Sequence, residues 1–68
     1  MEISNKAIVP TKKEVKAARV AAGLTQAQAA ELIFKGWQVW ALYESGKTKM
    51  DAAYWQLFNL KLTLKGTD

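Results

Sequence analysis

Apolar residues in this chain recur three and four positions apart in short blocks, the spacing of one helix face, and polar or glycine positions separate the blocks. Pro10-Thr11-Lys12-Lys13-Glu14 reads as a helix start. The Thr11 hydroxyl can cap the first turn and Glu14, three residues on, can return the bond. Val15, Ala18, Arg19 and Ala22 then share a face, which predicts a first helix to about Ala22, with Gly23 as a left-handed stop. Leu24 and Thr25 open a second helix: Thr25 with Gln28 repeats the capping pattern, and Leu24 can staple the entry against Ala29. Ala29, Ala30, Leu32 and Ile33 supply its buried side. So short a junction at Gly23-Leu24-Thr25 makes the two helices cross steeply.

Phe34-Lys35-Gly36 reads as a tight turn, with Gly36 as the N-cap of a third helix over Trp37–Ser45 that stops at Gly46. Trp40, Tyr43 and Glu44 fall on one face of that helix, and Trp37, Gln38, Ala41, Leu42 and Ser45 fall outward. After the basic loop Lys47-Thr48-Lys49, Asp51 can cap a last helix from Ala52 to about Lys61. That helix is apolar nearly all round. Ala53, Leu57, Leu60 and Leu64 form one stripe, and Trp55, Phe58 and Leu62 form another. One stripe can cover the domain's own core. The second, assigned here to Trp55, Phe58 and Leu62, is expected to meet another copy of the chain, unless a small domain uses both stripes internally. The alternation of apolar and polar residues from Leu60 to Lys65 is also compatible with a strand. Residues 1–10 show no helical period, and Ile3, Ala7, Ile8 and Val9 suit a short extended arm. The pattern therefore predicts an all-α fold: an arm over 1–10 and one small helical bundle over 11–64.

Composition narrows the function. A chain of 68 residues holds one small domain, in which each buried aromatic matters and association would help. It has no cysteine and no histidine, which excludes disulfides, thiolate chemistry, a histidine general base and a zinc site of the usual kind. The six carboxylates are scattered, so no catalytic cluster is visible; neither an enzyme nor a cofactor or metal is expected. The formal net charge of +4 favours an anionic partner, nucleic acid first, although many small proteins are mildly basic. The first ten residues lack the apolar core of a leader, and no apolar run approaches the roughly 20 residues that span a bilayer. A cytoplasmic location and no membrane partner are expected.

Two short helices joined by a tight turn, in a basic chain, make a helix-turn-helix arrangement. The second helix of such a pair fits the major groove, where each base pair shows its own pattern of donors and acceptors. The small contact between the helices can come from Ala29 and Ala30, and Gln38 offers an outward polar group near the start of the second. Arg19 is the only arginine among ten basic residues, and its planar fork suits either a carboxylate within the fold or a DNA phosphate.

The run Leu24-Thr25-Gln26, then Ala30, Ile33, Trp40 and Tyr43-Glu44-Ser45-Gly46-Lys47, resembles the Cro/CI (XRE) helix-turn-helix family without a gap, over Thr11 to about Leu60. The resemblance implies a lambda repressor-like bundle that binds double-stranded DNA, as a dimer on an inverted repeat with half-sites about one helical turn apart. It also implies an internal salt bridge between Arg19 and Glu44, tying the first helix to the recognition helix. By the same resemblance Gln26 contacts backbone phosphate, and Lys35, Lys47, Thr48 and Lys49, which flank the recognition helix, are phosphate-contacting candidates. Trp37, Gln38, Ala41 and Leu42 match the base-reading positions.

This chain departs from the family at three of those places. Phe34 stands where a glycine is usual, so either the turn changes shape or packing holds the ring. Trp37 and Leu42 are apolar where polar readers are common. They suit thymine methyl groups, the core, or a protein partner. Trp40, Tyr43-Glu44, Gly46, Met50 and Trp55-x-Leu57-Phe58-x-x-Lys61 further resemble small phage and prophage regulators of this family, among them anti-CRISPR-associated (Aca) regulators. That implies a repressor of a phage operon, either its own or an anti-CRISPR one. The competing expectation is an antitoxin or protein-interaction module that uses Trp37 and Leu42. RNA binding is a third option, without an RNP-type aromatic motif to support it.

Overall fold

The computed structural model describes residues 9–65 and builds them into helices α1 (Lys12–Ala21), α2 (Gln26–Leu32), α3 (Trp37–Ser45) and α4 (Ala52–Lys65). No strand occurs among the described residues. The extended arm expected over residues 1–10 lies outside them except for Val9, which is exposed, and Pro10, which is buried. No helix among them is long and apolar enough to cross a membrane.

Local chemistry sets most of the helix ends. At α1 the Thr11 hydroxyl accepts from the Glu14 N–H at 3.1 Å, and the Glu14 carboxylate accepts from the Thr11 N–H at 2.8 Å. The same reciprocal pair starts α2, where Gln28 N–H donates to Thr25 at 3.1 Å and Thr25 N–H to the Gln28 amide oxygen at 2.9 Å. Each box satisfies two of the backbone donors that a helix start leaves unpaired. Asp51 Oδ1 accepts from the Ala53 N–H at 2.8 Å and starts α4. Gly46 ends α3 at φ 84°, a left-handed conformation that calls for glycine.

The core is Val15, Ala29, Ala30, Ile33, Trp40, Tyr43, Met50 and Phe58. Helix α3 packs on α1 and α2, and α4 closes on α2. Ala29 and Ala30 are fully buried, so the α2 backbone can approach its neighbours closely. Leu24 is half-buried against the same cluster. The Phe58 ring lies 4.9 Å from Trp40, centroid to centroid, and the Tyr43 ring meets Trp40 edge-on at 6.1 Å.

Two expectations about α4 are corrected. The helix runs on through Lys65 instead of turning into a strand from Leu60. A lone strand would find no edge to pair with, whereas the helix is knitted by Asn59 Nδ2 donating to Trp55 O and Thr63 Oγ1 to Asn59 O. Of the stripe assigned to a second copy, Phe58 is taken up by the core. Phe58 is fully buried, Trp55 stacks beside it at 6.2 Å, and Trp55 and Leu62 are half-buried against the core. Phe58 therefore offers no surface to another chain. Leu60 and Leu64, from the other stripe, are the exposed ones.

The α2–α3 turn keeps a glycine-like shape around a bulky residue. Phe34 has φ 61° and its side chain is 77% exposed. Its ring makes one cationic contact, with Lys61 Nζ 4.4 Å from the centroid. The left-handed backbone costs a non-glycine residue about 1–2 kcal/mol, and no core packing offsets it.

The two phenylalanines should thus respond oppositely to truncation. Phe58→Ala should cost about 3–5 kcal/mol, enough to unfold most of so small a domain. Phe34→Gly should stay within about 1 kcal/mol of the parent, since relief of strain offsets the greater chain entropy of glycine. Urea unfolding followed by circular dichroism checks both.

Candidate nucleic-acid interface

Helix α3 is divided between two jobs. Trp40 and Tyr43 are buried, while Trp37, Gln38 and Leu42 are exposed and Ala41 is half-buried. Trp37, Gln38, Ala41 and Leu42 are spaced i, i+1, i+4, i+5, so they share one side of the helix. Trp37 is 54% exposed and Leu42 40%, which places both on the surface and out of the core. A Cβ on Gly36 would stand 2.9 Å from Gln38 Oε1, so the bare glycine gives the Gln38 amide room to fold back over the helix start.

The orientation of that face is set at Glu44. Arg19 Nε donates to Glu44 Oε2 at 2.5 Å and Arg19 Nη2 to Oε1 at 3.2 Å, the fork-on-carboxylate pairing that guanidinium geometry favours. Arg19 Nη1 donates to the Leu24 carbonyl at 2.9 Å. Gln26 Nε2 donates to Glu44 Oε1 at 3.2 Å, and the Trp40 indole N–H donates to Oε2 at 2.5 Å. One carboxylate thus joins α1, the start of α2, and α3. It is the one ion pair among the described residues, and its side chains are 16% (Arg19) and 8% (Glu44) exposed. Burial pushes the Glu44 carboxyl up, but the bonds from Arg19, Trp40 and Gln26 outweigh it and hold the group below the ordinary glutamate range.

The basic residues flank α3 at both ends. Lys35, before it, is half-buried with its ammonium 4.8 Å from the centroid of the Tyr54 ring, tethered to α4. Lys47, Thr48 and Lys49, after it, are exposed. Their loop is held by Thr48 N–H donating to Leu42 O at 3.3 Å and Lys47 N–H to Ser45 Oγ at 3.2 Å. Gln26 is half-buried at the start of α2 with its amide on Glu44, so part of its hydrogen-bonding capacity is committed inside the fold. Sequence reasoning missed that bond and the one from Trp40. The Trp40–Glu44 spacing of four on one helix was the available signal; Gln26 is 18 residues from Glu44 and left none. No group of three or more acidic side chains able to hold a metal ion occurs among the described residues.

Arg19→Met strands the Glu44 charge, and the loss should be about 3 kcal/mol, the low end of the range for a buried pair because the arginine is partly exposed. The pH dependence has a definite sign. A carboxyl whose folded pKa lies below its unfolded value of about 4.3 contributes stability above that pH, and the contribution is lost as pH falls through the depressed folded value. Denaturation series between pH 7 and 3 should show this slope, and Glu44→Gln should flatten it.

No protein-family model matches the chain, and no curated protein matches it. The likeness to the Cro/CI family therefore rests on the residues quoted for it.

Proposed function

We propose that the protein is a sequence-specific DNA-binding transcriptional regulator that reads the major groove with α3. The observation that carries this reading is the clamping of α3 by Arg19, Gln26 and Trp40 on Glu44, with Trp37, Gln38, Ala41 and Leu42 presented outward between basic ends. A buried, hydrogen-bonded anchor on one side of a nine-residue helix and a solvent face on the other suits a probe that must enter a groove in one orientation.

In this reading Gln38 swings off Gly36 and pairs bidentately with an adenine edge, while Trp37 and Leu42 lie against thymine methyl groups. Lys47, Thr48 and Lys49, with Lys35 at the other end, bind phosphates and fix the register. Gln26 serves the fold through Glu44 and meets phosphate with what remains of its amide. The regulator acts in the cytoplasm as a dimer on an inverted repeat. The narrower resemblance makes it a repressor of a phage or prophage operon, its own or an anti-CRISPR one.

A second reading is favoured by the exposure of Trp37 and Leu42, since large apolar side chains on a surface also suit a protein partner. An antitoxin or interaction module would give a stoichiometric protein complex and no operator binding.

Gel-shift titrations on DNA upstream of the chain's own operon, against a scrambled duplex, separate the two. Specific binding should weaken steeply with salt, and replacing Lys47 or Lys49 by alanine should lower the salt slope by about 1 each. Gln38→Ala should cost about 1–3 kcal/mol on the operator and little on scrambled DNA. Equal affinity for both duplexes at physiological salt would remove the claim of specificity.

A further inference from the structure

Helix α1 carries a charged flank that the DNA reading does not use. Counted at about 100° per residue, Arg19, Lys12, Lys16, Val20 and Lys13 follow one another around one side of α1, and Glu14 falls on the other. Arg19 reaches Glu44, so this flank is the one turned toward α3. Lys12, Lys13, Lys16, Ala17 and Val20 line one open groove of about 380 Å³ together with Glu44.

Three lysines placed this way work against the helix that holds them. Lys12 and Lys13 stand in the first turn of α1, where the helix dipole disfavours a cation. Lys16 lies four residues from Lys12 and three from Lys13, so like charges are neighbours on the helix surface. Nothing acidic offsets them. All three lysines are exposed and make no ion pair among the described residues. Glu14 is held by the Thr11 N–H on the other side of α1, and Glu44 is taken up by Arg19, Gln26 and Trp40. The pattern is unfavourable to α1 alone and suits an anion outside the chain.

Continuity identifies that anion. The Lys12 side chain lies along Gly46, with Cδ 3.0 Å and Nζ 3.7 Å from where a Cβ would stand, and Lys47 is the next residue. The lysine flank of α1 thus begins beside the loop of residues 47–49 that is assigned above to phosphate. Val20 is the one large apolar side chain exposed on the flank, which therefore offers point charges and little apolar contact. That suits a phosphate backbone better than a protein interface, whose centre is poor in lysine and rich in aromatic residues.

We propose that Lys12, Lys13 and Lys16 bind phosphates of duplex DNA beyond those met by the loop of residues 47–49, and supply affinity without reading sequence. The inference rests on the DNA reading above and extends its contact surface onto α1.

Fluorescence anisotropy across a range of salt tests it in the full chain, with a labelled duplex from upstream of the chain's own operon and its scrambled counterpart. One variant combines Lys12→Gln, Lys13→Gln and Lys16→Gln. Circular dichroism should show it folded, with a thermal midpoint at or above that of the parent, because unfavourable charges are gone. Its salt slope should be lower than the parent's by about 2–3, at about 0.9 per phosphate released. Affinity should fall by the same factor on both duplexes, to within about threefold, so the preference between them is kept. A parent that binds neither duplex would overturn the DNA reading and this inference together. A parent that binds, with a triple variant that keeps its affinity and slope, would overturn this inference alone and leave the flank to an acidic protein surface. A loss confined to one duplex would also overturn it, because the lysines would then be reading sequence.

Discussion

The carboxylate of Glu44 is the point on which the arrangement of the other helices depends. The buried cluster of Val15, Ala29, Ala30, Ile33, Trp40 and Tyr43 brings α1, α2 and α3 together, but apolar burial is non-directional. Hydrogen bonds are directional. Arg19 reaches Glu44 and the Leu24 carbonyl together, so the end of α1, the entry to α2 and the far end of α3 are fixed by one fork. The Trp40 indole and the Gln26 amide complete the shell, and no buried side-chain nitrogen or oxygen is left unpaired among the described residues. A buried charge is costly unless its partners are in place. That cost is what penalises other rotations of α3, and it sets which residues of α3 face solvent.

What could be read from sequence follows the range of each interaction. The two capping boxes, the Asp51 cap and the glycine at the end of α3 involve neighbours within three residues, so residue order alone locates them. Arg19 stood out as a lone arginine, and the resemblance supplied Glu44 as its partner. The faces of α4 were not legible. Both of its stripes are apolar, and periodicity cannot say which one turns inward. Ring size decides it: Phe58 fills the space beneath Trp40, and leucines are left on the surface. The turn was half legible. Substituting phenylalanine for the usual glycine left its shape open, and the structure keeps the left-handed backbone with the ring in solvent.

The candidate reading face has an unusual balance. Gln38 is its one polar group with fixed donor and acceptor directions, while Trp37, Ala41 and Leu42 offer shape and apolar contact. Such a face discriminates by methyl groups and groove fit more than by hydrogen-bond pattern. The charges that would hold it to DNA are lysines, point charges without a planar fork, which hold a backbone without prescribing an angle. Orientation must then come from inside the protein, which returns the burden to Glu44.

The start of α3 has a consequence in time. Helices α1 and α2 each open with a reciprocal cap that can form in an otherwise unfolded chain. Helix α3 opens on Gly36, which provides no side-chain bond. A nine-residue helix without a cap has little stability alone, since nucleation is unfavourable and only a few bonds follow. The element proposed to meet DNA therefore depends on docking against the others for its helix. A chain in which α3 has not docked has no reading head. Nascent or damaged molecules of this kind would be silent on DNA, not promiscuous.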